Sequence, residues 1–323
     1  MNRSEEKRLP QYLAYWGLKF APFSESGSNM SFYLPPSQKS IRESLLLTCE
    51  KDPNLILLDS PPGQGKSTIA YWLYKTLPVE SHEVIFLSLL SAKRDEEWFW
   101  SKIAQYFGIR EEEKQESLQL IIDEIWSENR KLTVIIDSAD CLKTAESLGE
   151  MIYLLNAQST LGIVINIVLI GTSDWIKWLL DHEVFSHLVS FRATLPRLNA
   201  QEIREYIDFS LENSGLKETP FNASAYGKIV SLSMGNYARI NALAEASLSE
   251  AFLLGVKIID SAVVVKSDLK NMRKPHQTPS GIENTGALVE NKIDLEFAKE
   301  EVKVEEQHED ELSSLFYSEE NPD

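Results

Sequence analysis

Cysteine is scarce, with Cys49 and Cys141 the two that occur. Their separation matches no metal-site spacing, so they read as reduced cytosolic thiols or as small core residues. Long apolar runs are lacking too. None reaches the ~18 residues that a membrane-spanning helix needs. The longest, around residues 161–171, is broken by Asn166 and reads as a buried strand. The opening MNRSEEKRLPQ has no apolar h-region, which predicts no secretory leader and a cytoplasmic protein. Basic residues are in deficit: 32 Lys and Arg stand against 49 Asp and Glu, a net charge of −17. Residues 271–323 hold 14 acidic and 5 basic side chains, a net −9, which leaves −8 for the rest of the chain. A protein that grips nucleic acid through many phosphates needs a basic face, so this balance argues against nucleic acid as the main ligand. What the chain does have is length and apolar content: 323 residues, 43% hydrophobic, enough for one large domain or two smaller ones.

The most informative stretch is NLILLDSPPGQGKSTIAYWLYKT, residues 54–76. A short apolar run, 55–58, has the pattern of a buried strand, and the residues after the glycines have helical spacing. Strand, glycine loop and helix are the context a phosphate-binding loop requires. Gly63 and Gly65 allow backbone N–H groups to turn inward without a Cβ in the way. Together with the helix N-terminus those donors make an anion site. Lys66 is placed to reach the β- and γ-phosphates, and the Ser67 hydroxyl to bind Mg²⁺. Pro62, Gly63, Gln64, Gly65, Lys66, Ser67 and Thr68 are therefore the nucleotide-binding candidates, with ATP and Mg²⁺ as ligands. The first glycine of the G-x-x-x-x-G-K-[ST] consensus is replaced by Ser60.

KLTVIIDSADCL, residues 131–142, is the second informative stretch. An acid closing a buried strand beside a phosphate loop is where Mg²⁺ and its waters are held, which assigns that role to Asp137. Hydrolysing enzymes of this type place a glutamate next, to orient the attacking water. Here Ser138 follows, and its hydroxyl is a poor base at neutral pH. Asp140 is the nearest substitute carboxylate. GIVINIVLIGTSDW, 162–175, reads as another buried strand. Thr172 and Ser173 stand where a sensor group would meet the γ-phosphate, or else form a simple strand-end turn, with Ser173 capping the next helix. A last short strand is expected over 193–198, flanked by Arg192 and Arg197, and Arg192 joins the catalytic candidates. Strands are also expected at 83–90, and helices at 95–107, 110–130 and 148–160.

Four parts follow from this reading. Residues 1–31 form an N-terminal strap, whose aromatic segment 12–23 is too apolar for a free tail and is expected to cover an edge of the core. Residues 32–198 form the α/β nucleotide-binding domain. It opens on Phe32 and Tyr33, candidates for contact with adenine or for plain packing, and on a helix capped by Ser37. Residues 199–270 are helical throughout and form a small lid. Residues 271–323 are expected to be a disordered acidic tail, interrupted by LSSLFY at 312–317, a docking peptide or a segment without function.

The order of these blocks resembles the ExeA/GspA-type AAA+ ATPases over residues 12–270. The resemblance rests on YLAYWGLKFAPFS, FYLPPSQKSIRESLL, the phosphate loop, VIIDSADCL, LIGTSDW, LPRLNAQEIREYI and GNYARINALAEASLSEAFLLG. It implies an α/β P-loop NTPase with a parallel sheet and a C-terminal helical lid. It also implies a place in type II secretion or pilus systems, or, through transposition-regulating relatives such as the B protein of phage Mu, a DNA-associated ATPase. Several departures bear on activity. The usual D-E reads Asp137-Ser138. The lid motif G-G-x-P-R-x-I-N puts its sensor arginine on Ala238, with Arg239 one place later on another helical face. An arginine expected in an L-R-x-R-I segment falls near His187-Leu188. The secretion members continue into a membrane span and a cell-wall-binding domain, where this chain is expected to have only its acidic tail. The resemblance therefore implies a homo- or hetero-oligomer that binds ATP and Mg²⁺ with hydrolysis slow or absent. Its expected partners are proteins: a membrane-anchored complex, or an active AAA+ paralogue that supplies the missing catalytic groups.

Overall fold

The computed structural model describes residues 9–23, 32–51, 54–89, 98–109, 125, 127–142, 148–149, 151, 155 and 165–273. The chain divides into two units, Met1–Lys274 and Pro275–Asp323. The second, with the expected acidic tail and LSSLFY, lies outside the described residues, as does most of the expected helices at 110–130 and 148–160.

Five strands form one parallel sheet. They are β1 (Asn54–Asp59), β2 (His82–Ser88), β3 (Lys131–Asp137), β4 (Ile165–Gly171) and β5 (Val189–Thr194), in the spatial order β2-β3-β4-β1-β5. Alternation along each central strand feeds two separate apolar layers. Leu55 and Leu57 of β1, Val134 and Ile136 of β3, and Ile167 and Leu169 of β4 face one side. They pack there against Phe99 and Ile103 of α4 (Trp98–Tyr106) and Trp175, Ile176 and Leu179 of α5 (Ser173–Leu180). Ile56, Leu58, Ile135, Val168 and Ile170 face the other side, against Leu45 and Cys49 of α2 (Lys39–Cys49) and Ile69, Ala70 and Leu73 of α3 (Lys66–Thr76). The result is a three-layer α/β/α P-loop NTPase fold. A short helix, α6 (Glu183–Leu188), leads into β5.

The expected strand over 193–198 is displaced. β5 runs Val189–Thr194, so Arg192 lies inside the strand and does not flank it. Two expected caps also differ. Ser37 belongs to a short 3-10 turn, Pro36–Gln38, and α2 starts after Gln38 without a side-chain cap. The Ser37 amide instead donates to Glu202 at 2.8 Å. The N-cap of α5 is Thr172, not Ser173, because the Ser173 hydroxyl is drawn to the buried Asp59.

Four helices follow the sheet: α7 (Ala200–Asn213), α8 (Ala223–Ser233), α9 (Tyr237–Leu254) and α10 (Ser261–Arg273). Asparagine side chains cap the first three, Asn199, Asn222 and Asn236, and Asn199 with Glu202 forms a full capping box. The N-terminal helix α1 (Leu9–Trp16) joins this helical core. Tyr12, Trp16, Leu18 and Phe23 pack among Ile203, Ile207, Leu243 and Leu248, and the Trp16 indole donates to the Leu248 carbonyl at 3.3 Å. The strap thus packs on the helical core of the lid.

Candidate functional site

The carboxyl ends of the parallel strands are where an open α/β sheet gathers its ligand groups. Asp59 closes β1, Asp137 closes β3, Gly171 closes β4 and Thr194 closes β5. Strand register brings Asp59 level with Gly171 and Thr194, and Asp137 level with Ile170. From Asp59 the chain enters the glycine loop, held at its start by the Ser60 amide donating to the Gly171 carbonyl at 3.4 Å. Gly63 and Gly65 have φ of +74° and +80°, values at which a β-carbon is strained, so the two glycines are required by the turn. Gly65 is also the N-cap from which α3 starts at Lys66. Ser67 and Thr68 occupy the first turn of that helix.

Lys66 Nζ donates to the carbonyls of Ser60 at 3.0 Å and Pro61 at 3.1 Å. Burial pushes its pKa down, while Asp140, Asp137 and Asp59 pull it back up. Three carboxylates act on Lys66 through charge, and Asp59 among them is itself paired with Arg192. A divalent cation would offset the negative charge that a polyphosphate adds beside Asp137 and Asp140. Asp137 is 3% exposed. Burial raises its carboxyl above the ordinary range, opposed by hydrogen bonds from the Ser67 hydroxyl and the Ser138 amide and by the charge of Lys66. Ser67 and Asp137 thus lie on the same side of the loop, each with oxygen donors of the kind Mg²⁺ takes. A buried carboxylate, an adjacent hydroxyl and a glycine loop opening a helix are a donor set that fits a Mg²⁺–nucleotide. Among the described residues no group of three or more His, Cys, Asp or Glu side chains is arranged to hold a metal alone. The metal would take its remaining ligands from phosphate and water.

Ser138 has φ of +59°, left-handed backbone that a serine seldom adopts, and it starts a 3-10 turn over Ala139–Cys141. Its amide donates to Asp137 Oδ1 at 2.9 Å. Asp140 lies on that turn, within electrostatic reach of Lys66 and Asp137.

Asp59, which sequence patterning passed over as a strand end, is the hub beneath the loop. It is 1% exposed. It accepts from the Ser173 hydroxyl at 2.7 Å, the Thr194 hydroxyl at 3.1 Å and Arg192 Nε at 3.3 Å. Arg192 is thereby tied to the β1 terminus and Ser173 is turned toward Asp59. The clue in the sequence was an acid interrupting NLILLD at its last position. Thr172 is the N-cap of α5, without a side-chain cap bond.

The lid meets the loop directly. Ala238 stands against Gly63, where a β-carbon built on the glycine would lie 2.7 Å from Ala238 Cβ. The Tyr237 ring covers Gly65 at 3.3 Å by the same measure. Arg239 points elsewhere: its guanidinium pairs with Asp268 of α10 at 2.7 Å. That pairing engages Arg239, one of the catalytic candidates, on a face about 100° from that of Ala238, as one step along a helix dictates. His187, near the expected second arginine, is exposed on α6 beside Glu183 at 3.7 Å. Phe32 and Tyr33 bridge the two parts. The Phe32 ring meets Tyr71 of α3 at 5.6 Å, and Tyr33 donates to Glu205 of α7 at 2.7 Å, its ring 5.9 Å from Tyr206 and Phe209.

Residues 49–179 match the family model described as an AAA domain. General secretion pathway protein A of Aeromonas hydrophila is 24% identical over 254 residues, which is 76% of this chain and 45% of that protein. The chain therefore spans about half the length of the curated relative it matches. In fold it is similar to the Aeropyrum pernix ORC2 protein in its ADPNP–ADP complexes, with TM-score 0.60, 18% identity, and coverage of 80% of this chain and 72% of the other. It is also similar to Drosophila ORC bound to DNA, at TM-score 0.60, 14% identity, 84% and 68% coverage. Cdc6p from Pyrobaculum aerophilum matches at TM-score 0.58, 19% identity, 77% and 70% coverage. The fold is that of an AAA+ P-loop NTPase, which implies nucleotide binding. The domain match and the secretion-protein similarity support an AAA+ ATPase of the ExeA/GspA type. No helix among the described residues is long and apolar enough to cross a membrane.

Proposed function

We propose that, as an AAA+ module of the ExeA/GspA type, this chain binds ATP with Mg²⁺, hydrolyses it slowly or not at all, and serves as a nucleotide-dependent assembly factor for a secretion, pilus or related envelope machine. In this reading the N–H groups of the loop from Pro62 to Thr68 cradle the phosphates, and Lys66 neutralises them. Ser67 and Asp137 hold the metal, which offsets the charge that develops on the phosphates. Phe32 and Tyr33 wall the base.

The observation that carries the slow-turnover part is the pairing of Ser138 with Ala238. Where a water-orienting carboxylate is expected, a serine stands in strained backbone. Where a sensor arginine is expected, an alanine methyl lies against Gly63. Asp140, Thr172 and Arg192 remain the polar groups near the strand ends. Arg192 is engaged by Asp59 and Arg239 by Asp268, so neither guanidinium is free. Losing a transition-state charge contact costs about 10³-fold or more in phosphoryl transfer, while ground-state binding rests on groups that are all present. The similarity to a secretion protein supports the choice of partner machine.

A steady-state assay on the full chain tests it. The expected outcome is saturable Mg²⁺-dependent ATP binding that Lys66→Ala weakens by about 10- to 100-fold, the worth of a charge-assisted contact. Turnover is expected far below the ~1 s⁻¹ at the low end of typical enzymes. Turnover at ~1 s⁻¹ or above, lost in Lys66→Ala, contradicts the slow-switch reading.

A further inference from the structure

The lid holds the phosphate loop by its carbonyls. Asn236 Nδ2 donates to the Pro62 carbonyl at 2.8 Å and to Gln64 Oε1 at 3.1 Å. The Ala238 amide donates to the Gly63 carbonyl at 3.1 Å. Gln64, fully buried, answers with its own amide, donating to the carbonyls of Pro196 and Gly235, each at 3.2 Å. Every peptide here is trans. In a planar trans peptide the C=O and the next N–H point in opposite directions. Fixing the Pro62 carbonyl toward the lid therefore turns the Gly63 N–H to the other side of the loop. Fixing the Gly63 carbonyl does the same to the Gln64 N–H.

We infer that Asn236 and the Ala238 amide are positioning groups: by gripping two loop carbonyls they set the phosphate-facing N–H groups, so that lid docking and nucleotide affinity are coupled. The inference deepens the nucleotide-binding reading and rests on it. The lid of this chain senses the nucleotide through the loop backbone, with Ala238 standing where a sensor arginine is expected. Coupling is reciprocal, so bound nucleotide must hold the lid as firmly as the lid prepares the loop. Preorganised N–H groups are also what an anion site gains most from, because no reorientation is left for the ligand to drive.

Asn236 has a second duty, since its Oδ1 accepts from the Arg239 amide and caps α9. The test variant must spare that duty. Asn236→Asp keeps a capping oxygen but sets a carboxylate against the Pro62 carbonyl, and Asn236→Ser keeps a cap while withdrawing the amide that spans to both Pro62 and Gln64. The experiment is Mg·ATP titration of the full chain, with hydrogen exchange read at the Ala238 amide, on wild type, both variants and Lys66→Ala. Expected are unchanged helix content, an affinity reduced about tenfold in both Asn236 variants, and loss of the extra Ala238 protection that Mg·ATP confers on wild type. Lys66→Ala weakens binding about 10- to 100-fold through the phosphate contact alone and keeps the ligand-free protection of Ala238, whereas the Asn236 variants lower both. Equal affinity with wild-type protection in either Asn236 variant overturns the inference while the nucleotide-binding reading stands. A wild-type chain that does not bind Mg·ATP overturns both.

Discussion

Asp137 carries a conflict that single residues at functional sites commonly carry. Its carboxyl is buried and its pKa is raised from 3.8, which means the folded chain binds the proton more tightly than the unfolded one. Protonation therefore favours folding, and ionisation costs stability as pH climbs from the ordinary value through the raised one. Above both values the cost is complete. Asp137→Asn is expected to raise the stability of the ligand-free chain by about 1 kcal/mol while abolishing the Mg²⁺-dependent part of ATP binding. Denaturant unfolding with and without Mg·ATP checks both halves. Mg²⁺ competes with the same proton, so Mg²⁺-supported binding is expected to fade on acidification sooner than at a carboxylate with an unshifted pKa. Ser138→Glu is the reverse experiment. It restores a water-orienting acid and is expected to raise ATP turnover by about 10²-fold. No rise with binding intact would move the deficit to Ala238. At this scale the sequence was legible where chemistry is local. Gly63, Gly65 and Lys66 announce themselves because a phosphate loop needs them in a fixed spacing. Asp59 and Asn236 do not, because their partners lie more than 100 residues away in the chain, at Ser173, Thr194, Pro62 and Gln64.

Among the elements, continuous apolar runs marked β1, β3 and β4, whose two faces are both filled. β5 was misplaced by several residues. It is an edge strand whose residues alternate between half-buried and exposed, so hydrophobicity alone marks it poorly. The caps at Ser37 and Ser173 failed for one reason. Long-range carboxylates, Glu202 for the Ser37 amide and Asp59 for the Ser173 hydroxyl, outcompeted the local capping geometry. The caps at Asn199, Asn222 and Asn236 form because their side chains meet local groups at the helix start, with the phosphate loop as a further partner for Asn236. The element most altered by tertiary context is α1. Its aromatic face reads as apolar from sequence, but what it covers is set by the lid. Trp16→Ala removes a nearly fully buried indole and its bond to Leu248, and is expected to cost about 3 kcal/mol. Thermal unfolding of the full chain measures the loss. If Trp16→Ala leaves stability unchanged, α1 is not part of the lid core.

For the whole molecule, a net charge of −17 weighs against a general phosphate-backbone grip, whatever the fold neighbours bind. The same acidity reappears within the site, where the charges of Asp140, Asp137 and Asp59 act on Lys66. The chain is expected to take up nucleotide only with its metal and then keep it, the lid seated on the loop. The most direct measurement mixes the full chain with labelled ATP and Mg²⁺, isolates the protein at intervals, and identifies the retained nucleotide. The predicted result is stoichiometric label, recovered as ATP after an hour and absent when the metal is chelated. Label that never stays with the protein, or that is recovered as ADP within seconds, contradicts it.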